Sequence, residues 1–167
     1  CGDLEFDETI KLIDKHWGSI DKAEVPKKNA IIEEPLKKSK AVNIYGPESA
    51  FVLLGYRFDG FGSDDELYLT LIDMIMSNNQ AGTLDLNLVQ KQRVLEAESS
   101  YEVYRDYSWF TFYGVPLNNQ SLKSVTKLLL QEIDKLKKGD FDSWYNQAVI
   151  RCFEIDKINE ISSSGRI

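Results

Sequence analysis

A chain of 167 residues has the length of one ordinary domain and can bury a single substantial core. Its 43% hydrophobic and 28% charged residues are the balance of a folded protein rather than a disordered one. The formal net charge of −7 argues against a nucleic-acid or anionic-membrane surface, which needs concentrated Lys and Arg.

Taken in chain order, the pattern opens with a helix over 8–17, capped by Asp7 and stopped at Gly18, with Ile10, Ile13 and Trp17 on one face. Residues 19–40 are rich in Lys and Glu, contain Pro26 and Pro35, and read as an extended crossing connection. Two strands are predicted next, "AVNIYG" and "AFVLLGYRF", joined through the turn at Gly46-Pro47-Glu48. The second is apolar on both faces, with Phe51 and Leu53 against Val52 and Leu54, so it is expected in the middle of a sheet.

A buried helix should follow. Ser63 and Glu66 have the spacing of a reciprocal capping box, and Leu67, Leu71, Met74 and Ile75 form a stripe ended by Asn78-Asn79. A second helix is expected over 84–94. Two strands come after it, around 99–105 and in "SWFTFYG", with a short hairpin connection. "NQSLKSVTKLLLQEIDKLKKG" is strongly amphipathic, with Leu122, Val125, Leu129, Ile133 and Leu136 at helical spacing. Gly139 is its stop, and Lys137-Lys138 suit the negative end of the helix dipole. A last helix starts near Asp140 and carries Trp144, Ala148, Ile150 or Arg151, and Ile155. This order predicts a single α+β domain over 1–167, with a mostly antiparallel sheet and helices on one side. The abrupt start at "CGDLEF" and stop at "SSSGRI" read as cuts within a longer, multi-domain chain.

Catalytic chemistry finds no candidate. His16 is the lone histidine and has no partner at helical spacing, whereas zinc takes three or four ligands. No phosphate-cradling glycine turn, no G-x-S-x-G and no Cys/His couple occurs. Asp64-Asp65-Glu66 are expected as first-turn acids of a helix. The short basic runs at Lys27, Lys37 and Lys137 are read as solvated edges. Cys152 sits in an apolar helical pattern and is expected as a small buried hydrophobe; with Cys1 it makes no disulfide framework. No apolar run reaches the roughly 18 residues of a membrane span. Aromatic residues are denser: Tyr101, Tyr104, Tyr107, Trp109 and Tyr113 gather on two neighbouring strands. Tyr offers contact area with a polar tip, so one face of these strands could meet an extended peptide.

Three strings together resemble a known family. "GDLEFDETIKLIDKHWGSI", "VNIYGPESAFVLLGYRFDGFGSDDELYLTLIDMIMSNNQAGTLDLNLVQ" and "LLLQEIDKLKKGDFD" are similar to the C-terminal domain of one half of an insulinase-like (pitrilysin-type) zinc metallopeptidase. The resemblance implies a parent built of two halves, each of two similar α+β domains, closing around an unfolded peptide. Zinc and its glutamate base would sit on an H-x-x-E-H helix of another domain, and this sequence has no such motif. In catalytic members one helix of the C-terminal half resembles "LRekrGLaY"; here its Arg, Gly and Tyr positions fall on Gln90, Val94 and Ala97. All three depart, so the chain is either the second domain of the N-terminal half or part of a degenerate parent. The resemblance thus implies no catalytic residue and no metal ligand here. It implies a homologous zinc-bearing domain as partner and a peptide or unfolded polypeptide as substrate. Among the aromatic residues of the two strands, Tyr101 and Tyr104 are the expected peptide contacts, with main-chain pairing along an exposed strand edge. A parent that has lost its metal and only holds peptides is the alternative. The residues set no compartment; bacterial relatives of this kind are often exported to the periplasm.

Overall fold

The structure, a computed structural model, describes residues 2–27, 32–78 and 81–162. Cys1, Lys28, Asn79 and the last residues of "SSSGRI" therefore lie outside the described residues. The chain divides into two compact units. One comprises Cys1–Ser39 with Ile158–Ile167, the other Lys40–Lys157.

In the first unit, helix α1 spans Phe6–Trp17 and begins two residues earlier than expected. Glu5 is the N-cap, and Asp7 and Glu8 lie in the first turn. Thr9 donates its hydroxyl to the Glu5 carbonyl at 2.8 Å. Its apolar stripe of Phe6, Ile10, Ile13 and Trp17 is exposed throughout, and no residue of the helix is buried. Residues 19–27 and 32–39 carry neither helix nor strand.

The second unit is built on three antiparallel strands, β1 (Val52–Asp59), β2 (Glu96–Val103) and β3 (Tyr107–Val115), in the order β1-β3-β2. This corrects the placement of β1, which lies at an edge. Its two-faced apolarity comes from Leu53 standing exposed on the open face, not from burial between two strands. The strand expected at 41–46 is absent too. Val42, Ile44 and Tyr45 are exposed in irregular backbone, since β-propensity without a ladder partner does not make a strand.

Register sorts the side chains into two faces. Val52, Ala97, Ser99, Phe110 and Phe112 point to the covered face and are buried. Helices α2 (Asp65–Met76) and α3 (Leu122–Lys138) pack on that side. Burying these apolar surfaces, at roughly 25 cal/mol per Å², is the main term holding the layers together. The core joins Leu69 and Met76 of α2, Leu84, Leu88 and Val94 of the following turn, Phe110 and Phe112 of β3, and Val125, Leu129 and Ile133 of α3. Gly114 lets α3 seat closely on β3, because a Cβ there would stand 2.8 Å from Val125 Cγ1.

α3 ends where Gly139 was expected to stop it, and its start has a cap the sequence reading did not single out. Ser121 caps it by accepting from the Ser124 amide at 3.2 Å, and Gly139 ends it at φ 64°, a left-handed conformation that glycine adopts without a Cβ penalty. α2 forms where it was expected, but its start does not follow the expected capping box. Asp64 is the N-cap and makes no side-chain capping bond, and the Ser63 hydroxyl is buried without a hydrogen-bond partner, so the capping box is not formed. Asp65 instead accepts from the Asp59 amide at 3.1 Å, tying the helix start to the end of β1. The buried residues are Leu69, Ile75 and Met76, while Leu67 is exposed. The helix ends at Ser77.

The helix expected over 84–94 contracts to a π-helical turn, Asp85–Val89. Wide i→i−5 bonds, Gln90 to Asp85 and Arg93 to Leu88, both at 2.8 Å, let the chain unwind early. Gln92 at φ 52° then turns it so that Val94 enters the core before β2 starts. Helix α4 (Trp144–Ser162) buries Tyr145 and Val149 in the second unit, whereas Trp144, Ile150 and Ile155 are exposed. The buried positions thus fall one residue beyond the expected Trp144 and Ala148, and the Tyr145 amide closes the first turn onto the Asp142 carbonyl at 3.0 Å. Cys152 is a free, exposed cysteine, contrary to the buried position its apolar neighbours suggested.

Candidate peptide-contact surface

On the open face of the sheet, three rows of side chains run across the strands. Leu53, Tyr113 and Glu98 form one, Gly55, Thr111 and Ser100 the next, and Arg57, Trp109 and Glu102 the third. The middle row is small and low. Ser100 and Thr111 share a hydroxyl hydrogen bond at 2.9 Å, and a Cβ on Gly55 would meet nothing within 4 Å. The flanking rows stand higher, and both Leu53 (58% exposed) and Trp109 (46%) face solvent. Phe51 packs beside Tyr113, and the Arg57 guanidinium lies 4.9 Å over the Tyr107 ring.

The two tyrosines singled out in the sequence are not brought together. Tyr101 belongs to the covered face of β2, half-buried and stacked parallel to Phe110, with its hydroxyl 2.9 Å from that of Thr70 on α2. Tyr104 stands just beyond the end of β2, exposed, with its ring 4.7 Å from Trp109 and its hydroxyl donated to Glu102. That bond first, then desolvation and last the Glu102 charge hold the Tyr104 phenol above its ordinary pKa. Tyr104 is therefore continuous with the open face, through Trp109 and Glu102, while Tyr101 ties β2 to α2.

A second polar tie lies beside Tyr101. Ser99 donates its hydroxyl to the Asp73 carboxylate at 2.6 Å. Burial raises the Asp73 pKa above 3.8; the Ser99 bond opposes the rise and the charge of Glu98 adds to it.

Sequence reading missed one buried charge. Glu132 on α3, its side chain 1% exposed, accepts from Lys135 Nζ at 2.8 Å and from Asn87 Nδ2 at 2.9 Å. It lines a cavity of about 420 Å³ with Thr83, Asp140 and Tyr145. Tyr145 closes one side by donating its hydroxyl to the Ala81 carbonyl at 2.6 Å. The signal was available: Glu132 falls within the buried helical stripe of Val125, Leu129 and Ile133. Its two oxygens are occupied, so the group braces α3 against the π-helical turn and offers no open ligand position.

The other sequence candidates stay apart. His16 is on α1 of the first unit, and Asp65 and Glu66 occupy the first turn of α2. Gln90 ends the π-helical turn, whereas Val94 and Ala97 are buried in the core, so they are packing residues. Among the described residues no group of three or more His, Cys, Asp and Glu is placed to hold a metal ion, and no helix is long and apolar enough to cross a membrane.

Residues 1–151 match the family model described as the peptidase M16 inactive domain. The fold is similar to that of a protease from Helicobacter pylori, with a TM-score of 0.74 and 24% sequence identity over 99% of this chain. The match spans 41% of that protease's length. A search of curated proteins gave no match.

Proposed function

We propose, from the premise that this chain belongs to the peptidase M16 family as its inactive domain, that it forms a wall of a peptide-holding chamber in a larger protein. The domain itself is a non-catalytic member of a peptidase family. In this reading it packs against a homologous domain that carries zinc, and that ion supplies Lewis-acid activation of water for peptide hydrolysis. This chain contributes surface and orientation.

The observation that carries the reading is the open sheet face. A two-layer domain leaves one side of its sheet uncovered, and here that side combines exposed Leu53, Trp109 and Tyr104 with hydrogen-bonding Ser100 and Thr111. Such a surface suits an unfolded polypeptide, which presents both side chains and main-chain groups. The outer edge of β2, flanked by Tyr101 and Tyr104, is where main-chain pairing would occur. The exposed stripe of α1 supports the packing half of the proposal, since Phe6, Ile10, Ile13 and Trp17 make an apolar face suited to another domain.

A site-specific photocrosslinker tests it. Benzoylphenylalanine replacing Tyr104 or Trp109 in the full-length protein should yield adducts with a labelled unfolded peptide, and the same group replacing Glu66 on α2 should not. Bound peptide that never crosslinks to position 104 or 109 would remove the reading.

A further inference from the structure

The outward side chains of β2 are Glu96, Glu98, Ser100 and Glu102, alternating with Ala97, Ser99, Tyr101 and Val103 on the covered side. All three acids are exposed, and their partners across β3 are Val115, Tyr113 and Trp109, none of them a cation. Among the described residues no ion pair reaches Glu96, Glu98 or Glu102; Glu102 accepts only from the Tyr104 phenol. Arg57, the cation of this face, stands on β1 with β3 between it and β2, over the Tyr107 ring. β2 is also an edge strand: β3 lies on one side, and no described strand lies on the other.

Edge and charge combine in one way. A strand added to an exposed edge places its alternate side chains directly opposite those of the edge strand, with Cβ atoms about 4.5–5.5 Å apart. Opposite charges stabilise such pairs, and like charges oppose them. A carboxylate at every second position, with a hydroxyl at Ser100, therefore reads the incoming strand residue by residue. On the other side of the new strand the neighbours are Ala97, Ser99, Tyr101 and Val103, which suit small or apolar side chains.

We propose that the outer edge of β2 selects extended polypeptide segments in which Lys or Arg alternates with apolar residues. The proposal rests on the reading that peptides pair with this edge, and it adds the substrate chemistry. Three cross-strand acid–base pairs make the preference about five- to tenfold at low salt, and it weakens as salt screens the exposed charges.

Fluorescence anisotropy with the full-length protein, in EDTA so that no hydrolysis depletes the probe, tests both levels. Four labelled ten-residue peptides suffice: alternating Val-Lys, alternating Val-Gln, a Val/Lys peptide of the same composition with its lysines contiguous, and alternating Val-Lys N-methylated at every second residue. The alternating Lys peptide should bind about five- to tenfold more tightly than both the Gln and the contiguous forms, and N-methylation should abolish binding. The triple variant E96Q/E98Q/E102Q should bind the Lys and Gln peptides within about twofold of each other, with a thermal midpoint unchanged within about 2 °C.

Equal binding of the Lys, Gln and contiguous peptides to the unmodified protein would overturn the selectivity and leave the peptide-holding reading intact. A Lys preference that survives in the triple variant would place the selecting acids elsewhere and overturn it likewise. Failure of every peptide to bind would sink the peptide-holding reading itself.

Discussion

Helices α1 and α3 are written in the same code and meet opposite fates. Both carry apolar residues at helical spacing, Phe6, Ile10, Ile13 and Trp17 in one, Val125, Leu129 and Ile133 in the other. α3 buries its stripe against β3 and β1. α1 buries nothing. Amphipathicity records that a face is suited to covering, and it is silent on what covers it. In α3 the cover lies within the same unit, where Gly114 clears the approach; in α1 the proposed cover is a different domain.

The largest effect that would break this contrast is in α3. Leu129→Ala should destabilise the protein by about 2–5 kcal/mol in urea unfolding, because Leu129 is wholly buried and its neighbours can collapse only in part. A change below about 1 kcal/mol would mean that the α3 interface is far looser than its burial indicates.

Asp73 sharpens the contrast on the α2 side of the same core. Its carboxyl pKa is raised in the folded protein, so between 3.8 and that raised value the folded state holds more protons than the unfolded one. The contribution of Asp73 to stability is therefore fully present below 3.8 and is lost as pH rises through the raised value. Asp73→Asn keeps an acceptor for Ser99 and removes the titration. The stability of the variant relative to the parent should climb across that window and be flat on either side, as measured by denaturant melts at stepped pH. A relative stability that falls across the window would mean that Asp73 is held ionised.

The smallest expected effect is in α1. Ile13→Ala should change the stability of the 167-residue chain by less than about 0.5 kcal/mol, as expected for a surface position. In the full-length protein the same substitution should cost clearly more if the proposed domain covers the stripe. Equal costs in the two settings would show that no other domain packs on α1.

Much of the second unit was legible because its signals are local. Gly139 marks the end of α3, the stripe from Val125 to Ile133 marks its buried face, and the alternation in "SWFTFYG" gives β3 its two faces. Where several groups compete for one place, the local signal failed. Ser63 and Glu66 have capping-box spacing, yet Asp65 is drawn to the Asp59 amide and the box does not form. Leu84 and Leu88 begin a helix that widens into a π-helical turn, because Val94 must also reach the core.

Of the candidate surface, the sequence showed the aromatic density but not its sorting. Tyr101 and Tyr104 are three residues apart, which the strand's two-residue period sends to opposite faces. One is spent on Thr70 and Phe110, and the other joins Trp109 at the open face. The acids of β2 were visible as letters. Their meaning depends on the strand order, which makes β2 an edge.

By itself the sequence determined the α+β class, the family and most of the helices and strands, because periodicity and end signals act over a few residues. Only the tertiary structure decided which strand lies at the centre, which tyrosine is free and which charge is buried. Those outcomes depend on partners far apart in the chain, such as Glu132 with Asn87 and Ser99 with Asp73, and no local pattern carries them.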